Sequence, residues 1–219
     1  MEHCRGSEKP IVSRSPRYPF CDRSARTQGR EVRALVTGGS GFIGTHLIEQ
    51  FQKDGVDYVT VGRRFPSDQR NICFDLLSSA DLTGQLEKLK PTHLIHLGWY
   101  AEHGKYWESA LNIDWLVATS RLVEAFCQSG GKHVLVAGTC AEYDWGHGFC
   151  IEDLTPLRPS TLYGIAKKSA HDLSSHICEK YGVKFAWARI FFPYGPGESK
   201  ERLIPALFDV FRNAKPAFG

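Results

Sequence analysis

The sequence lacks a long apolar run: no stretch approaches the ~18 residues that a bilayer-spanning helix needs. It also lacks a surplus of either charge, because 27 Lys and Arg residues stand against 24 Asp and Glu and leave a net charge of +3. That balance favours neither nucleic acid nor a membrane surface as a partner. With 42% hydrophobic and 23% charged residues, the 219-residue chain has the composition of an ordinary globular domain.

The cysteines form no CxxC pair, and their number, seven, is odd. This spacing is typical neither of a zinc site nor of a disulfide framework. Free thiols are typical of a reducing compartment, so the sequence predicts a cytoplasmic protein. The histidines do not suggest a metal either, since His93 and His96 fall on opposite faces of one predicted strand. We predict no metal site.

Residues 1–30 differ in composition from the rest of the chain. They are rich in Arg and Ser and poor in apolar residues, so they cannot bury enough surface to offset the entropy of ordering. They also lack the apolar stretch of a secretory signal. We predict a disordered extension over 1–30 and a folded domain over 31–219.

Short β-rich runs alternate with segments of helical period from residue 31 onward. Strands are predicted at 32–37, 58–61, 71–74, 92–97, 132–137 and 184–190, and helices at 42–55, within 78–90, and at 106–129, 161–181 and 203–213. Such alternation indicates βαβ units. The predicted fold is therefore α/β: a doubly wound parallel sheet of the Rossmann-like type.

A glycine-rich loop joins the first strand to the first helix, where a dinucleotide fingerprint belongs. It reads TGGSGFIG over 37–44, with GxxGxxG spacing. Gly38 would permit the tight turn, Gly41 the close approach of a diphosphate, and Gly44 the packing of helix on strand. The amides at the helix start would then bind phosphate. Around these glycines, the loop positions expected to contact the cofactor are Ser40, Phe42 and Ile43.

The end of the second strand bears on the choice of cofactor. A site selective for NAD places a carboxylate there to bind the ribose 2′-hydroxyl. This chain instead has Arg63 and Arg64. Guanidinium groups present paired donors to a 2′-phosphate, so the pattern favours NADP, with NAD as the alternative.

A tyrosine and a lysine lie four residues apart in the predicted helix over 161–181. Tyr163 and Lys167 fall on one helix face. A nearby ammonium group favours the phenolate, so the pair predicts a tyrosine with a lowered pKa acting as acid or base. Thr139, after the fifth strand, would add a hydroxyl that hydrogen-bonds the reacting oxygen.

Taken together, these motifs make the sequence similar to the extended short-chain dehydrogenase/reductase family, in its NAD-dependent epimerase/dehydratase branch. The resemblance covers residues 32–216. It is carried by TGGSGFIG (37–44), Asp75-Leu76, His96-Leu97-Gly98, Asn112, GTCAEY (138–143), YGIAK (163–167) and ARIFFPYGPG (188–197).

The resemblance assigns roles residue by residue. Thr139, Tyr163 and Lys167 become the catalytic set. Tyr163 and Lys167 are also implied to contact the cofactor, with Lys167 holding the nicotinamide ribose. The remaining cofactor contacts implied are Asp75 and Leu76 near the adenine, Leu97 and Gly98 beside the nicotinamide, and Pro193 at the nicotinamide amide. The implied reaction transfers hydride between a sugar carbon and the cofactor while Tyr163 moves the hydroxyl proton.

Three departures from the family pattern refine the expected activity. Cys140 and Ala141 occupy the slots where the family's dehydratases carry an acidic pair, and Phe192 stands where many of its epimerases have Asn. The family also continues with a C-terminal substrate lobe, of which residues 191–219 would be only the start. The missing acidic pair, and the Ala141-Glu142-Tyr143 run that is similar to the DEY of some of the family's reductases, favour reduction of a nucleotide-linked 4-keto-6-deoxyhexose. The alternatives are a sugar-nucleotide 4-epimerase and a non-catalytic NAD(P)-binding protein, the latter favoured by the short lobe.

The sequence allows two interpretations of the aromatic stretch, of Glu142 and of the two longest helices. The aromatic stretch over 99–115 would pack beneath the cofactor cleft or form a wall against substrate. Glu142 would be a solvated or helix-capping carboxylate, or an extra acid or base near the sugar. The helices over 106–129 and 161–181 would simply pack on the sheet by their periodicity, whereas the resemblance implies that they form a homodimer interface.

Overall fold

The computed structural model of the chain describes residues 32–63, 70–78 and 82–213. The extension predicted over 1–30 and Arg64 lie outside these ranges. The strands are β1 (Arg33–Thr37), β2 (Asp57–Gly62), β3 (Asn71–Cys73), β4 (His93–His96), β5 (His133–Thr139) and β6 (Lys184–Ile190). The helices are α1 (Phe42–Asp54), α2 (Thr83–Leu89), α3 (Leu111–Gln128), α4 (Leu162–Tyr181) and α5 (Leu203–Arg212). Across the described ranges, no helix has the length and apolar character to cross a membrane.

All six strands form one parallel sheet in the order β3-β2-β1-β4-β5-β6. The chain winds outward from β1 through β2 and β3, and then returns to the other side of β1 for β4, β5 and β6. This strand order is that of a Rossmann fold, as predicted. Ligands of such sheets bind outside the carboxyl ends of the strands, at the reversal between β1 and β4.

Consecutive residues of β1 pack against opposite faces of the sheet, which is why the strand is apolar throughout. Leu35 joins the larger core beneath α2, α3 and α4, which also contains Leu122 and Phe126. Val36 joins a smaller cluster on the other face, where Phe51 of α1 packs. The two faces are therefore covered by different helices, as a doubly wound sheet requires.

The predicted boundaries hold to within a few residues except at the start of α3. The periodicity predicts a helix from residue 106, whereas the helix begins at Leu111. The Asn112 side chain donates to the Tyr106 carbonyl (2.7 Å) and the Ser109 carbonyl (2.9 Å), which keeps this segment in turns. The Trp107 carbonyl accepts the backbone N–H of Tyr163. Residues 106–110 thus support the start of α4 rather than extending α3.

The face of β5 and β6 on the α1 side is open in the described part of the chain. Leu135 of β5 is 37% exposed, and its neighbours Ala186 and Ala188 on β6 are also exposed. Parallel sheets are normally covered on both faces. This edge therefore differs from the centre of the sheet, where the last four residues of β1 are buried.

Candidate active site

The glycine loop after β1 has the conformation that its spacing predicts. Gly38 adopts a left-handed φ of +71°, which favours glycine. A Cβ atom on Gly44 would lie 2.2 Å from the Gly38 carbonyl oxygen, so only glycine lets α1 begin this close to the loop. Gly41 is exposed, and its Cβ would meet only the same carbonyl, at 3.3 Å. The predicted roles of Gly38 and Gly44 have a direct geometric basis.

The start of α1 is suited to an anion. Gly41 is its N-cap, no side chain caps the end, and the first turn carries no acidic residue. Helix N-termini present amide donors and a partial positive charge, which favour phosphate. Ser40, Gly41 and Ile43 are exposed at this end and Phe42 is half-buried. The loop and helix start therefore fit the diphosphate of a dinucleotide.

A groove of about 230 Å³ opens at the carboxyl edge of β1, β2 and β4. It brings together eight of the predicted cofactor residues: Gly38, Ser40, Gly41, Arg63, Asp75, Leu76, Leu97 and Gly98. The other described cofactor candidates do not line it: Phe42, Ile43, Gly44, Tyr163, Lys167 and Pro193. Pro193 is exposed in the segment after β6. The groove matches the predicted adenine and diphosphate positions best.

The end of β2 contributes a basic side chain to this groove. Arg63 is exposed and lines the groove, as does Asp75. Asp75 accepts the backbone N–H of Leu77 at 3.1 Å, which holds the turn after β3. The described part of the groove thus offers one guanidinium group and one carboxylate to a ribose.

Thr139 and Tyr163 meet at the carboxyl end of β5. β5 extends two residues further than predicted, so Thr139 lies within the ladder, paired with Ile190. The pKa of Tyr163 is raised to about 12, chiefly by burial, and a side-chain hydrogen bond with Thr139 partly opposes this shift. Tyr163 is therefore a neutral phenol at neutral pH, facing a hydroxyl group.

Lys167 does not act on Tyr163 as the sequence predicts. Its Nζ donates to the Ala137 carbonyl at 2.8 Å and lies 3.9 Å from the centre of the Trp99 ring. Burial lowers the pKa of Lys167 to about 7. The prediction that this lysine lowers the pKa of Tyr163 is wrong for this structure, because the ammonium is desolvated and directed at other groups.

Replacement of Lys167 by methionine is expected to raise the melting temperature at pH 6 by about 3–6 °C, or ~1–2 kcal/mol. The lysine pKa falls from 10.5 to about 7 on folding, so below pH 7 the native state holds a buried cation. That penalty declines as the pH rises from 7 to 10.5, and the gain should shrink accordingly. Thermal melts at pH 6 and pH 10 measure this, with Lys53→Met on exposed α1 surface as control. A variant less stable than the parent at pH 6 would contradict it.

Aromatic side chains surround Tyr163. The rings of Tyr106, Trp107 and Trp99 approach it edge to face, with centroids 4.8, 5.8 and 6.4 Å away. Trp99 also stacks on Trp115, and both line the groove. The packing interpretation therefore fits Trp99 and Trp115, which line the groove, whereas Trp107 is 42% exposed and does not line it.

A buried series of hydrogen bonds supports the groove at Gly98. The Gly98 amide donates to the Thr37 hydroxyl (3.2 Å), which is 2.6 Å from His96 Nδ1. His96 Nε2 lies 2.9 Å from the Thr119 hydroxyl. Burial lowers the pKa of His96 to about 3, so the ring is neutral. The sequence does not predict this role of His96, because the hydrogen bonds connect β1, β4 and α3, which lie far apart in the sequence.

Glu142 caps the turn after Thr139 and is fully buried, which decides between its interpretations in favour of capping. Its partners Trp187 and Arg189 were not singled out in the sequence. Their alternate spacing places them on one face of β6 and would have been the signal.

Comparison with known proteins agrees with this architecture. The sequence model of the NAD dependent epimerase/dehydratase family matches residues 34–218. The chain belongs to this family. The resemblance carried by the glycine loop and the Tyr163/Lys167 motif is therefore confirmed at the level of family and fold.

Family members with similar sequences act on nucleotide sugars according to their names. The uncharacterized UDP-glucose epimerase YtcB of Bacillus subtilis (strain 168) is 27% identical over 206 residues, which cover 84% of this chain and 64% of the relative. UDP-glucuronic acid decarboxylase 1 of Xenopus tropicalis is 24% identical over 215 residues, covering 89% and 48%. The chain thus spans between about half and two thirds of these relatives.

Solved structures of the family have the same fold. MoeE5 in complex with UDP-glucuronic acid and NAD is 32% identical, with a TM-score of 0.68, covering 81% of this chain and 60% of that one. The UDP-glucose 4-epimerase of Thermus thermophilus, in complex with NAD, is 24% identical with a TM-score of 0.70, covering 82% and 61%. The first is similar in sequence and fold, and the second supports the fold.

Proposed function

We propose that the chain binds a nicotinamide dinucleotide and acts on a nucleotide-linked sugar through Thr139 and Tyr163. The observation that carries this proposal is the meeting of these two hydroxyl groups at the carboxyl edge of the sheet, beside the groove of the glycine loop. Family relatives named for UDP-sugar chemistry support the substrate class.

The chain's own residues would hold the cofactor and manage one proton. The amides at 38–44 would bind its diphosphate, and Lys167 its nicotinamide ribose. When bound, the nicotinamide supplies hydride transfer to or from a sugar carbon. Tyr163 would give a proton to the sugar oxygen, or take it back, and Thr139 would hydrogen-bond that oxygen. The aromatic rings around Tyr163 exclude water from this transfer.

The specific reaction proposed is reduction of a 4-keto-6-deoxyhexose. Proton donation to a ketone oxygen needs a protonated acid, and burial keeps the Tyr163 phenol protonated at physiological pH. Elimination of water from the sugar would need further acid and base groups, which Cys140 and Ala141 do not offer. Reduction therefore uses the groups that are in place.

Two alternatives remain in view. A sugar-nucleotide 4-epimerase would use the same proton and hydride steps in both directions, and relatives named as UDP-glucose and UDP-glucuronate 4-epimerases favour it. A non-catalytic NAD(P)-binding protein would bind the cofactor in the groove without catalysing a reaction. The presence of all three candidate catalytic side chains, Thr139, Tyr163 and Lys167, argues against this second alternative.

We propose NADP as the cofactor. Arg63 at the groove supports it, since a guanidinium group pairs with a 2′-phosphate. The alternative is NAD, which several similar structures contain according to their titles. Asp75 in the same groove would suit the free ribose of NAD.

We also propose that α3 and α4 form a homodimer interface and that residues 191–219 begin a substrate lobe. Apolar side chains on both helices support the dimer: Ile113 is 53% exposed, and Ile165 and Leu173 are each 48% exposed. The open face of β5 and β6 and the exposed Phe192 support a covering element beyond the sheet.

Incubation of the chain with NADPH or NADH and a nucleotide-linked 4-keto-6-deoxyhexose tests the proposed reaction. Reduction is expected to consume the reduced cofactor in proportion to alcohol formed, followed by absorbance and product NMR. Faster turnover with NADPH than NADH, and loss of that preference in Arg63→Ala, are expected for an NADP site.

Parallel reactions with UDP-glucose and UDP-glucuronic acid contain only oxidised cofactor. Appearance of the C4 epimer there, with no reduction of the keto sugar, would replace the reductase with the epimerase. Tight cofactor binding without turnover of any of these sugars would contradict both enzymatic proposals and support the non-catalytic alternative.

A further inference from the structure

A fully buried carboxylate accepts the backbone N–H of Thr139. Glu142 has 0% exposure and accepts three kinds of N–H donor. Its Oε1 accepts the Thr139 backbone N–H (2.9 Å) and its Oε2 the Arg189 Nε (2.8 Å). The Trp187 indole N–H is shared between both oxygens, at 2.9 and 3.1 Å. An uncompensated buried charge would be costly, but this one is paired and hydrogen-bonded throughout.

The carboxylate holds the turn that carries Thr139. The Thr139 hydroxyl accepts the Ala141 N–H at 3.2 Å while Glu142 accepts the Thr139 N–H, so the two form a reciprocal cap. The turn packs directly on the first turn of α4: a Cβ on Gly164 would lie 2.5 Å from the Ala141 carbonyl oxygen. The position of Thr139 relative to Tyr163 is thus set through this turn.

β6 anchors the carboxylate from the other side. Trp187 and Arg189 project from the same face of β6, and the Trp187 indole fills the space beside Gly138, where a Cβ would meet Nε1 at 2.1 Å. Arg189 is also close to the Tyr143 ring, 5.6 Å from its centre. The network therefore links β5, the turn after it and β6, which gives the carboxylate a single orientation.

We propose that Glu142, held by Arg189 and Trp187, is a positioning residue that keeps the Thr139 hydroxyl directed at the reacting oxygen. This inference rests on the proposed function of Thr139 and Tyr163. Glu142 does not itself exchange a proton with substrate, because all its partners are protein donors and it has no exposed surface. Its hydrogen bond acts on Thr139, and its negative charge also raises the pKa values of Lys167 and Tyr163.

Glu142→Gln is the most direct test. Both carboxylate oxygens accept N–H groups, so the NH₂ group of the glutamine would face another donor and lose that hydrogen bond. We expect kcat to fall about 10–100-fold, with the cofactor Kd and substrate KM changing less than about threefold. Glu179→Gln, an exposed carboxylate on α4, is the matched control and should leave kcat unchanged. In a Thr139→Ala background, Glu142→Gln should lower kcat much less than in the parent, and the remaining loss should reflect only the charge removed near Lys167 and Tyr163. Additive losses would overturn the proposal.

A measurement on the Thr139 side chain separates this proposal from the proposed function. Three-bond couplings to Thr139 Cγ are expected to report a single χ1 rotamer in the parent and averaged rotamers in Glu142→Gln. Should that variant not fold, Trp187→Phe removes one donor and should give partial averaging. An unchanged single rotamer in the folded variant overturns the positioning role, whether or not turnover is detected. The expected rotamer change in a protein without turnover would support the positioning role and overturn only the proposed reaction.

Discussion

Tyr163→Phe is expected to lower turnover of the nucleotide sugar by about 10²–10⁴-fold, the usual contribution of one acid–base group. The substitution removes only the hydroxyl that would exchange a proton with the sugar oxygen. Its ring stays in contact with Tyr106 and Trp107, so cofactor affinity should change less than about threefold. Steady-state kinetics and cofactor titration by protein fluorescence measure the two quantities.

Tyr106→Phe is the matched control for this prediction. The same atom is removed from a neighbouring phenol, whose ring centroid lies 4.8 Å from that of Tyr163. Its turnover should remain within about threefold of the parent. Equal losses in the two variants would assign the effect to the aromatic packing, and a fully active Tyr163→Phe would remove the tyrosine from the mechanism.

Gly44→Ala is expected to abolish measurable cofactor binding, with Kd weakened by more than about 100-fold, or ~2.7 kcal/mol. The added methyl group would lie 2.2 Å from the Gly38 carbonyl oxygen and 2.7 Å from the Gly39 Cα. Both atoms belong to the backbone, so the loop has to move away from the helix start that binds the diphosphate. Overpacking of this kind also destabilises a protein by about 1–3 kcal/mol.

Gly84→Ala in α2 separates the loop geometry from a general effect of the methyl group. No atom lies within 4 Å of the position that its Cβ would occupy. Alanine is favoured over glycine in a helix, so stability should rise slightly and cofactor binding should not change. Calorimetric titration and thermal melts of both variants decide the matter. Normal cofactor affinity in Gly44→Ala would show that the loop does not bind the diphosphate.

The elements of this fold follow from local signals in the chain. Among the described residues, alternation of β-rich runs with helical periods predicts each strand and α-helix to within a few residues, apart from the start of α3. The glycine spacing predicts the turn at Gly38 and the close packing at Gly44. These features are predictable because they depend on backbone conformation and neighbours within a few positions.

The electrostatics of the site could not be predicted in the same way. The four-residue spacing of Tyr163 and Lys167 predicts a shared helix face, yet the ammonium is directed at Ala137 and Trp99, which lie on other elements. The sign of the Tyr163 pKa shift depends on burial by Trp99, Tyr106 and the turn after β5, and sequence spacing does not measure burial.

The sequence by itself therefore determined the doubly wound sheet, the glycine loop and the catalytic candidates Thr139, Tyr163 and Lys167. Only the tertiary structure decided that Tyr163 stays protonated, that Lys167 is desolvated, and that Glu142 is clamped between Trp187 and Arg189. The physical reason is the distance along the sequence between the interacting residues. Backbone geometry and periodicity arise from residues close together in the chain, whereas charge states are set by groups that meet only when β5, α4 and β6 pack together.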